Sequence, residues 1–191
     1  MPHYNPTIHH RKSIRLKGYD YAQAGLYFMT ICCHGRLCRF GKIENNEMIL
    51  NEYGQIAFNT WEMLPQQFSN LELDVFQIMP NHIHGIISLT NNVGAGFTPA
   101  LINKDEPQKN IPTIPNIVGI YKSLVANNCL SICKSKNEIM GKFWQRNYYE
   151  HIIRNEQSHQ RIADYIINNP AKWTEDKFYT NNPCRGVLHT P

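Results

Sequence analysis

A chain of 191 residues with 42% apolar, 11% aromatic and 18% charged side chains suffices for one globular domain with its own core, and its composition excludes a disordered or low-complexity protein. The formal charge of +4 permits an anionic partner without demonstrating one. No apolar run nears the ~18 residues of a membrane span and no apolar leader precedes the domain, so the expected location is cytoplasmic, without a membrane partner.

Residues 1–24 form a basic arm, with Arg11, Lys12, Arg15 and Lys17 against Asp20; such an arm is either solvated or laid along phosphates. The body of the domain is expected over 25–173. Leu26 to Cys33 (LYFMTICC) is aromatic, β-branched and apolar on both faces, as an inner strand should be. A short partner strand is expected around Cys38 to Ile43. Asn51 then reads as an N-cap, and Tyr53, Ile56, Ala57, Trp61 and Leu64 recur at helical spacing until Pro65. Leu71, Leu73 and Val75 alternate with Glu72 and Asp74, a half-buried strand that runs into Met79-Pro80-Asn81 and a tight connection to the next strand.

Residues 91–115 hold Gly94, Gly96, Pro99, Pro107, Pro112 and Pro115 and read as a loop insertion. Ile117, Ile120, Tyr121 and Leu124 return to helical spacing over 116–134. Phe143 to Ile153 is aromatic and β-like, a last helix is expected from Glu156 to Asn168 ahead of Pro170, and 174–191 is a C-terminal tail. The six cysteines, at 32, 33, 38, 129, 133 and 184, form no C-x-x-C pair and read as reduced thiols. Cys129 and Cys133, i and i+4 on a helix, are compatible with a zinc half-site or with small buried core residues. This order of elements suits an α+β ferredoxin-like sandwich: an antiparallel sheet with helices on one face and the other face open.

Three constellations carry chemistry. In Met79-Pro80-Asn81-His82-Ile83-His84-Gly85-Ile86-Ile87, His82 and His84 are i and i+2 on a strand and share a face, so both imidazoles can converge on one metal ion or one phosphate while Ile83 and Ile87 enter a core. Gly85 leaves space for a backbone or ligand to approach. In Arg161 to Pro170, Tyr165 and Asn169 are i and i+4 on a helix, so a phenol and an amide oxygen can meet one site; Tyr165 is equally a candidate core aromatic. In Lys142-Phe143-Trp144-Gln145-Arg146-Asn147-Tyr148-Tyr149-Glu150-His151-Ile152-Ile153-Arg154, aromatics interleave with basic and amide groups, which suits either stacking on unpaired bases or a hydrophobic edge.

MPNHIHGII, FWQRNYYEHIIRNE and IADYIINNPAKW occur in this order, and over roughly residues 9–175 the chain resembles the HUH single-tyrosine transposases, in particular the REP-associated, IS200-like branch. The resemblance implies a metal-dependent endonuclease and strand transferase that cleaves and rejoins single-stranded or hairpin DNA through a 5′-phosphotyrosine, on a ferredoxin-like domain whose open face is catalytic and DNA-binding. It implies His82 and His84 as metal ligands, Asn169 as the amide completing the site and Tyr165 as the nucleophile. Asn168 is the alternative amide, because Pro170 biases Asn169 away from helical geometry. Tyr148 and Tyr149 are the rival nucleophiles.

Arg146 and Arg154, within the matching motif, are DNA-contact candidates, with Trp144, Tyr148 and Lys122 beside them. A phenol with a pKa of about 10 is a weak nucleophile at neutral pH, so a divalent cation, Mg²⁺ or Mn²⁺, is expected to polarise the phosphate. The protein would act as a monomer or a homodimer. The alternative is a module of the same fold that holds single-stranded nucleic acid without cutting it.

Overall fold

The computed structural model describes residue 20 and residues 23–90 and 112–180. The basic arm ahead of residue 20, nearly all of the 91–115 insertion and the end of the tail lie outside the described residues. Six strands and four α-helices follow one another as β1 (Gly25–Cys32), β2 (Gly41–Glu44), β3 (Glu47–Leu50), α1 (Glu52–Glu62), α2 (Leu64–Gln67), β4 (Leu71–Ile78), β5 (His82–Leu89), α3 (Ile114–Ser135), β6 (Tyr149–Ile153) and α4 (Glu156–Asn168).

β1 occupies the centre of a four-stranded sheet ordered β4-β5-β1-β6, every neighbour antiparallel. With α1 and α3 as the crossovers, this is the ferredoxin-like arrangement expected for a βαββαβ chain. The segment expected as a short partner of β1 behaves otherwise. Its residues start at Gly41 and pair with β3 in a separate two-stranded hairpin, turned at Asn45 and Asn46, both at positive φ, where asparagine is tolerated.

Alternation along the two central strands sorts side chains by face. Tyr27, Met29, Ile31 and Cys33, with Ile83, Ile87 and Leu89, enter the main core beneath α1 and α3. Asn51 caps α1 by accepting from the Gly54 N–H at 2.9 Å, as its sequence position implies. Pro65, read as a stop, instead sits in the first turn of the short α2, where its missing N–H is harmless. Cys129 and Cys133 are buried in this core, the Tyr53 hydroxyl lies 2.8 Å from Cys133 Sγ, and burial pushes the Cys129 thiol up to about 12; they serve as apolar packing.

Gly85 belongs to this core face and not to the histidine face. A Cβ there would lie 2.5 Å from Cζ2 of Trp61, whose indole stacks on Phe76 with ring centroids 4.6 Å apart. The space that the glycine leaves is therefore filled by a tryptophan from α1, and no ligand approaches it. Gly85→Ala drives a methyl into a rigid ring, so a loss of about 1–3 kcal/mol is expected, read as a lower urea midpoint at unchanged m-value.

The opposite face carries a smaller core. Ile86, Ile153, Ala163 and Ile166 are buried together, with Leu26, Phe28, Val75 and Ile162 packed against them, and so α4 lies across part of the sheet. Each aliphatic side chain buried in this way contributes about 1.5–3 kcal/mol. A polar clasp completes the docking: the ladder shifts register between Leu73 and Phe76, and within the bulge Asp74 accepts from the Val75 N–H through Oδ1 and meets His159 Nε2 through Oδ2 at 2.6 Å. The hydrogen bond to Asp74, with the Asp74 and Glu156 charges, raises the His159 pKa. The clasp therefore stabilises the fold below the ordinary histidine value of about 6.5 and is lost as pH rises through the raised one. His159→Gln should lower the melting temperature in that acidic range and converge on the wild type in mild alkali.

Candidate active site

The residue pair β1–β5 sets the site. Thr30 lies opposite His84 and Cys32 opposite His82, so both imidazoles project from the face that α4 partly covers. Their outer nitrogens converge: His82 Nε2 and His84 Nε2 are 3.0 Å apart. Each inner nitrogen has a partner. Asn81 donates from its amide nitrogen to the carbonyls of Phe178 at 2.8 Å and Arg36 at 3.2 Å, which leaves its Oδ1 as the acceptor facing His82 Nδ1 at 2.8 Å. His82 therefore carries its proton on Nδ1 and aims a lone pair from Nε2. His84 Nδ1 meets the Thr30 hydroxyl at 2.9 Å.

Both imidazoles are wholly buried, beneath Phe178, whose ring centroid is 4.7 Å from that of His82, and Trp173, at 6.0 Å. Burial, reinforced by Lys177 and Arg36, depresses the His82 pKa to about 3. Burial and the neighbouring His82 depress that of His84 as well. Both rings are thus neutral near pH 7, the state that binds metals.

α4 brings the phenol. The Tyr165 hydroxyl lies 3.1 Å from His84 Nε2 and donates to Asp176 Oδ2, also at 3.1 Å. Asn169 Nδ2 donates to the same carboxylate oxygen at 3.0 Å. Pro170 does not displace Asn169, which keeps helical angles of φ −60° and ψ −41° because the proline opens the next turn, Pro170–Glu175. Asn169 is buried at the site, whereas Asn168 is spent on the Asp164 carbonyl at 2.7 Å. Burial and the Asp176 charge raise the Tyr165 pKa well above that of a free phenol. Tyr165 is held here as a neutral hydroxyl.

Donor atoms of His82, His84 and Asp176 lie within 4.8 Å of one another. Two observations fit this group to a divalent cation. Two nitrogens bound at about 2 Å to one ion sit about 3 Å apart at a right angle, close to the spacing here. Asn169 Oδ1, moreover, is buried without a hydrogen-bond partner among the described residues, an orphan acceptor of the kind a cation would satisfy. Asp176 escaped the sequence reading, which ended the domain at 173. Residues 174–180 are no free tail: Phe178 is buried, and the Asp176 carboxylate accepts from its N–H at 2.6 Å. Thr30, read only as a strand residue, was missed because its role depends on cross-strand register.

Three comparisons bear on this arrangement. No family model matches the chain. A Haemophilus influenzae protein of uncharacterized function is 44% identical over 181 residues, 93% of this chain and 98% of that protein, so the two belong to one family. A second protein of that organism, provisionally named a REP-associated tyrosine transposase, is 25% identical over 154 residues, 80% of this chain and 74% of its own length. The solved structure of a REP-associated tyrosine transposase bound to a REP hairpin superposes with a TM-score of 0.54 at 18% identity, covering 85% of this chain and 76% of that one. The chain is therefore similar in sequence to a protein provisionally named a REP-associated tyrosine transposase and shares the fold of a solved one.

Within this fold, the aromatic-basic segment divides. Tyr148 is buried in the main core, and Trp144 packs against it, its Nε1–H donating to the Lys122 carbonyl at 2.8 Å. The Lys122 ammonium donates to the carbonyls of Gln145, at 2.7 Å, and Arg146, at 3.1 Å. These three side chains, expected at a DNA surface, instead fasten the 142–147 connection to α3. For Tyr148 this corrects the expectation, because an aromatic buried in the core has no free face for a base; Trp144 and Lys122 are half-buried. Arg146, Arg154 and Tyr149 are exposed, and the Tyr149 ring lies beside Phe178. Among the described residues no helix is long and apolar enough to cross a membrane.

Since Asn81 fixes the His82 tautomer from outside the donor set, Asn81→Ala should weaken Mn²⁺ binding by about 10- to 100-fold and His84→Ala should weaken it further, both measured by calorimetry on folded protein.

Proposed function

We propose that this protein is a divalent-metal-dependent endonuclease and strand transferase acting on single-stranded or hairpin DNA, with Tyr165 as nucleophile. The observation that supports this reading above all others is the Tyr165 hydroxyl placed between His84 Nε2 and Asp176, each 3.1 Å away, at the group of donors that fits a cation. A Mg²⁺ or Mn²⁺ ion held by His82, His84 and Asp176, with the Asn169 oxygen as a further donor, would polarise the scissile phosphate and offset the negative charge that the phenol loses its proton against. The sequence-derived donor set of two imidazoles and an amide was uncharged. Asp176 adds one carboxylate, which suits these hard cations better than nitrogen donors alone.

The chain's own residues account for the rest. Asn81 and Thr30 hold the two rings in orientation, while Phe178 and Trp173 exclude water from them. The phenol proton passes to the Asp176 oxygen that already accepts it as Tyr165 Oη bonds to phosphorus. The bond to the 3′-oxygen breaks and that oxygen takes a proton from water, leaving a 3′-hydroxyl and a 5′-phosphotyrosine. For rejoining, a 3′-hydroxyl attacks the phosphotyrosine and gives its proton to solvent, and Tyr165 leaves, recovering its proton from Asp176. One phosphodiester is exchanged for another, so no nucleotide cofactor is needed.

The protein is to be incubated with a pool of labelled hairpin oligonucleotides and Mn²⁺, and covalent adducts resolved on denaturing gels. The expected outcome is an adduct that chelation abolishes, that Tyr165→Phe removes entirely and that Asp176→Asn reduces at least about 100-fold, the scale of losing a general base. An adduct persisting in Tyr165→Phe refutes the nucleophile. Metal-independent DNA binding without any adduct favours the non-catalytic binding module.

A further inference from the structure

Beside Tyr165, α4 and the turn after it line an open cleft of about 420 Å³ that reaches Asn169 and Asp176, within the size range of small-ligand sites. Arg161, Asp164, Tyr165 and Asn168 line it from one stripe of α4, and Lys172 and Glu175 from the turn. Arg161 stands four residues before Tyr165, about 6 Å along the helix axis. Neither the Arg161 guanidinium nor the Lys172 ammonium forms an ion pair or hydrogen bond among the described residues, although carboxylates line the same cleft. Asp164 is engaged by Gln160 at 2.9 Å, and Asp176, at the inner wall, by Tyr165 and Asn169. The cleft thus offers two uncommitted cations together with acceptor groups. A nucleotide carries the complement, an anionic phosphate at one end and amine donors on its base.

We infer that this cleft seats the nucleotide on the 3′ side of the scissile phosphate, with Arg161 and Lys172 gripping that nucleotide's own 3′-phosphate. The inference rests on the proposed tyrosine chemistry, whose stereochemistry selects the nucleotide. In-line attack by Tyr165 expels the 3′-oxygen from the far side of the phosphorus, so the strand ending in a 3′-hydroxyl departs away from the phenol. The nucleoside bonded through its 5′-oxygen stays beside Tyr165, and the space adjoining Tyr165 along α4 is this cleft. Arg161 and Lys172 are then positioning residues: they retain the covalently held strand and align the phosphate for both steps.

The probes are 2′-deoxyadenosine 3′,5′-bisphosphate and 2′-deoxyadenosine 5′-monophosphate, titrated calorimetrically into the full chain with and without Mn²⁺. The bisphosphate, which differs only by the 3′-phosphate, is expected to bind about 10-fold more tightly or better, the scale of one charge-assisted contact. Arg161→Ala/Lys172→Ala should erase that advantage while leaving the monophosphate affinity unchanged. Two exposed side chains are removed, and matching melting curves verify the fold. Equal affinities in the wild type, an advantage that survives the double substitution, or no measurable binding of either probe overturns the inference. Failure of the metal-centre reading is separately visible: Mn²⁺ would then change neither affinity, while the dependence on Arg161 and Lys172 persisted.

Discussion

The antiparallel pairing of β1 with β5 is the constraint on which the rest depends. Its register puts Thr30 against His84 and Cys32 against His82, and the two-residue period of a strand then commits Ile83, Ile87 and Leu89 to the main core. A slip of one residue would bury the imidazoles among aliphatics and turn those residues toward the phenol, so the energy that excludes water from the core is also the energy that aims the histidines. Gly85 strengthens this choice of face. Only a position without a side chain accepts the Trp61 ring at that point, and the strand cannot be turned over without a clash.

A second layer of organisation is polar and spans long sequence distances. Asn81 joins the His82 ring to the backbone at Arg36 and Phe178, and Asp176 gathers Tyr165, Asn169 and the Phe178 N–H. Water is shut out around Asn81 and the His82 ring, so the hydrogen bonds between them act in a medium less polar than bulk solvent, which raises their worth and the cost of breaking them. The Asp176 hub, by contrast, is only half-buried. The neutral imidazoles and the orphan amide oxygen of Asn169 belong to the buried part, while the phenol is kept undissociated by partial burial together with the Asp176 charge. Neutral imidazoles and an unpartnered amide oxygen are chemically compatible with a divalent cation.

Elements with a clear period were legible in the sequence. α4 was legible from Glu156 to Asn168 because Pro170 closes it, and the βαββαβ order followed from alternation in β4 and the apolar run of β1. His82, His84, Tyr165 and Asn169 could be singled out because a strand or helix repeat places each pair on one face. The short β3 strand was missed, four residues having too little pattern to stand out, and its partner β2 was consequently assigned to the wrong sheet. Asp176 and Thr30 were invisible for a different reason: their neighbours in space are distant in sequence, and an aperiodic run such as Trp173 to Tyr179 advertises nothing until it is folded back. Tyr148 and Trp144 show the converse error, since an aromatic-basic alternation looks alike whether its rings face a base or a core.

The seating of Phe178 and Asp176 over the histidines means that architecture and chemistry end at different residues. Among the described residues every strand and α-helix is complete by Asn168, so the sandwich topology is in place before the turn that follows. The carboxylate, the aromatic roof and the carbonyl that orients Asn81 all come after Asn168. Among relatives, a shared sandwich is therefore weak testimony of a shared site, and the short irregular stretch that follows the last helix is the part to compare when deciding which of them keep it.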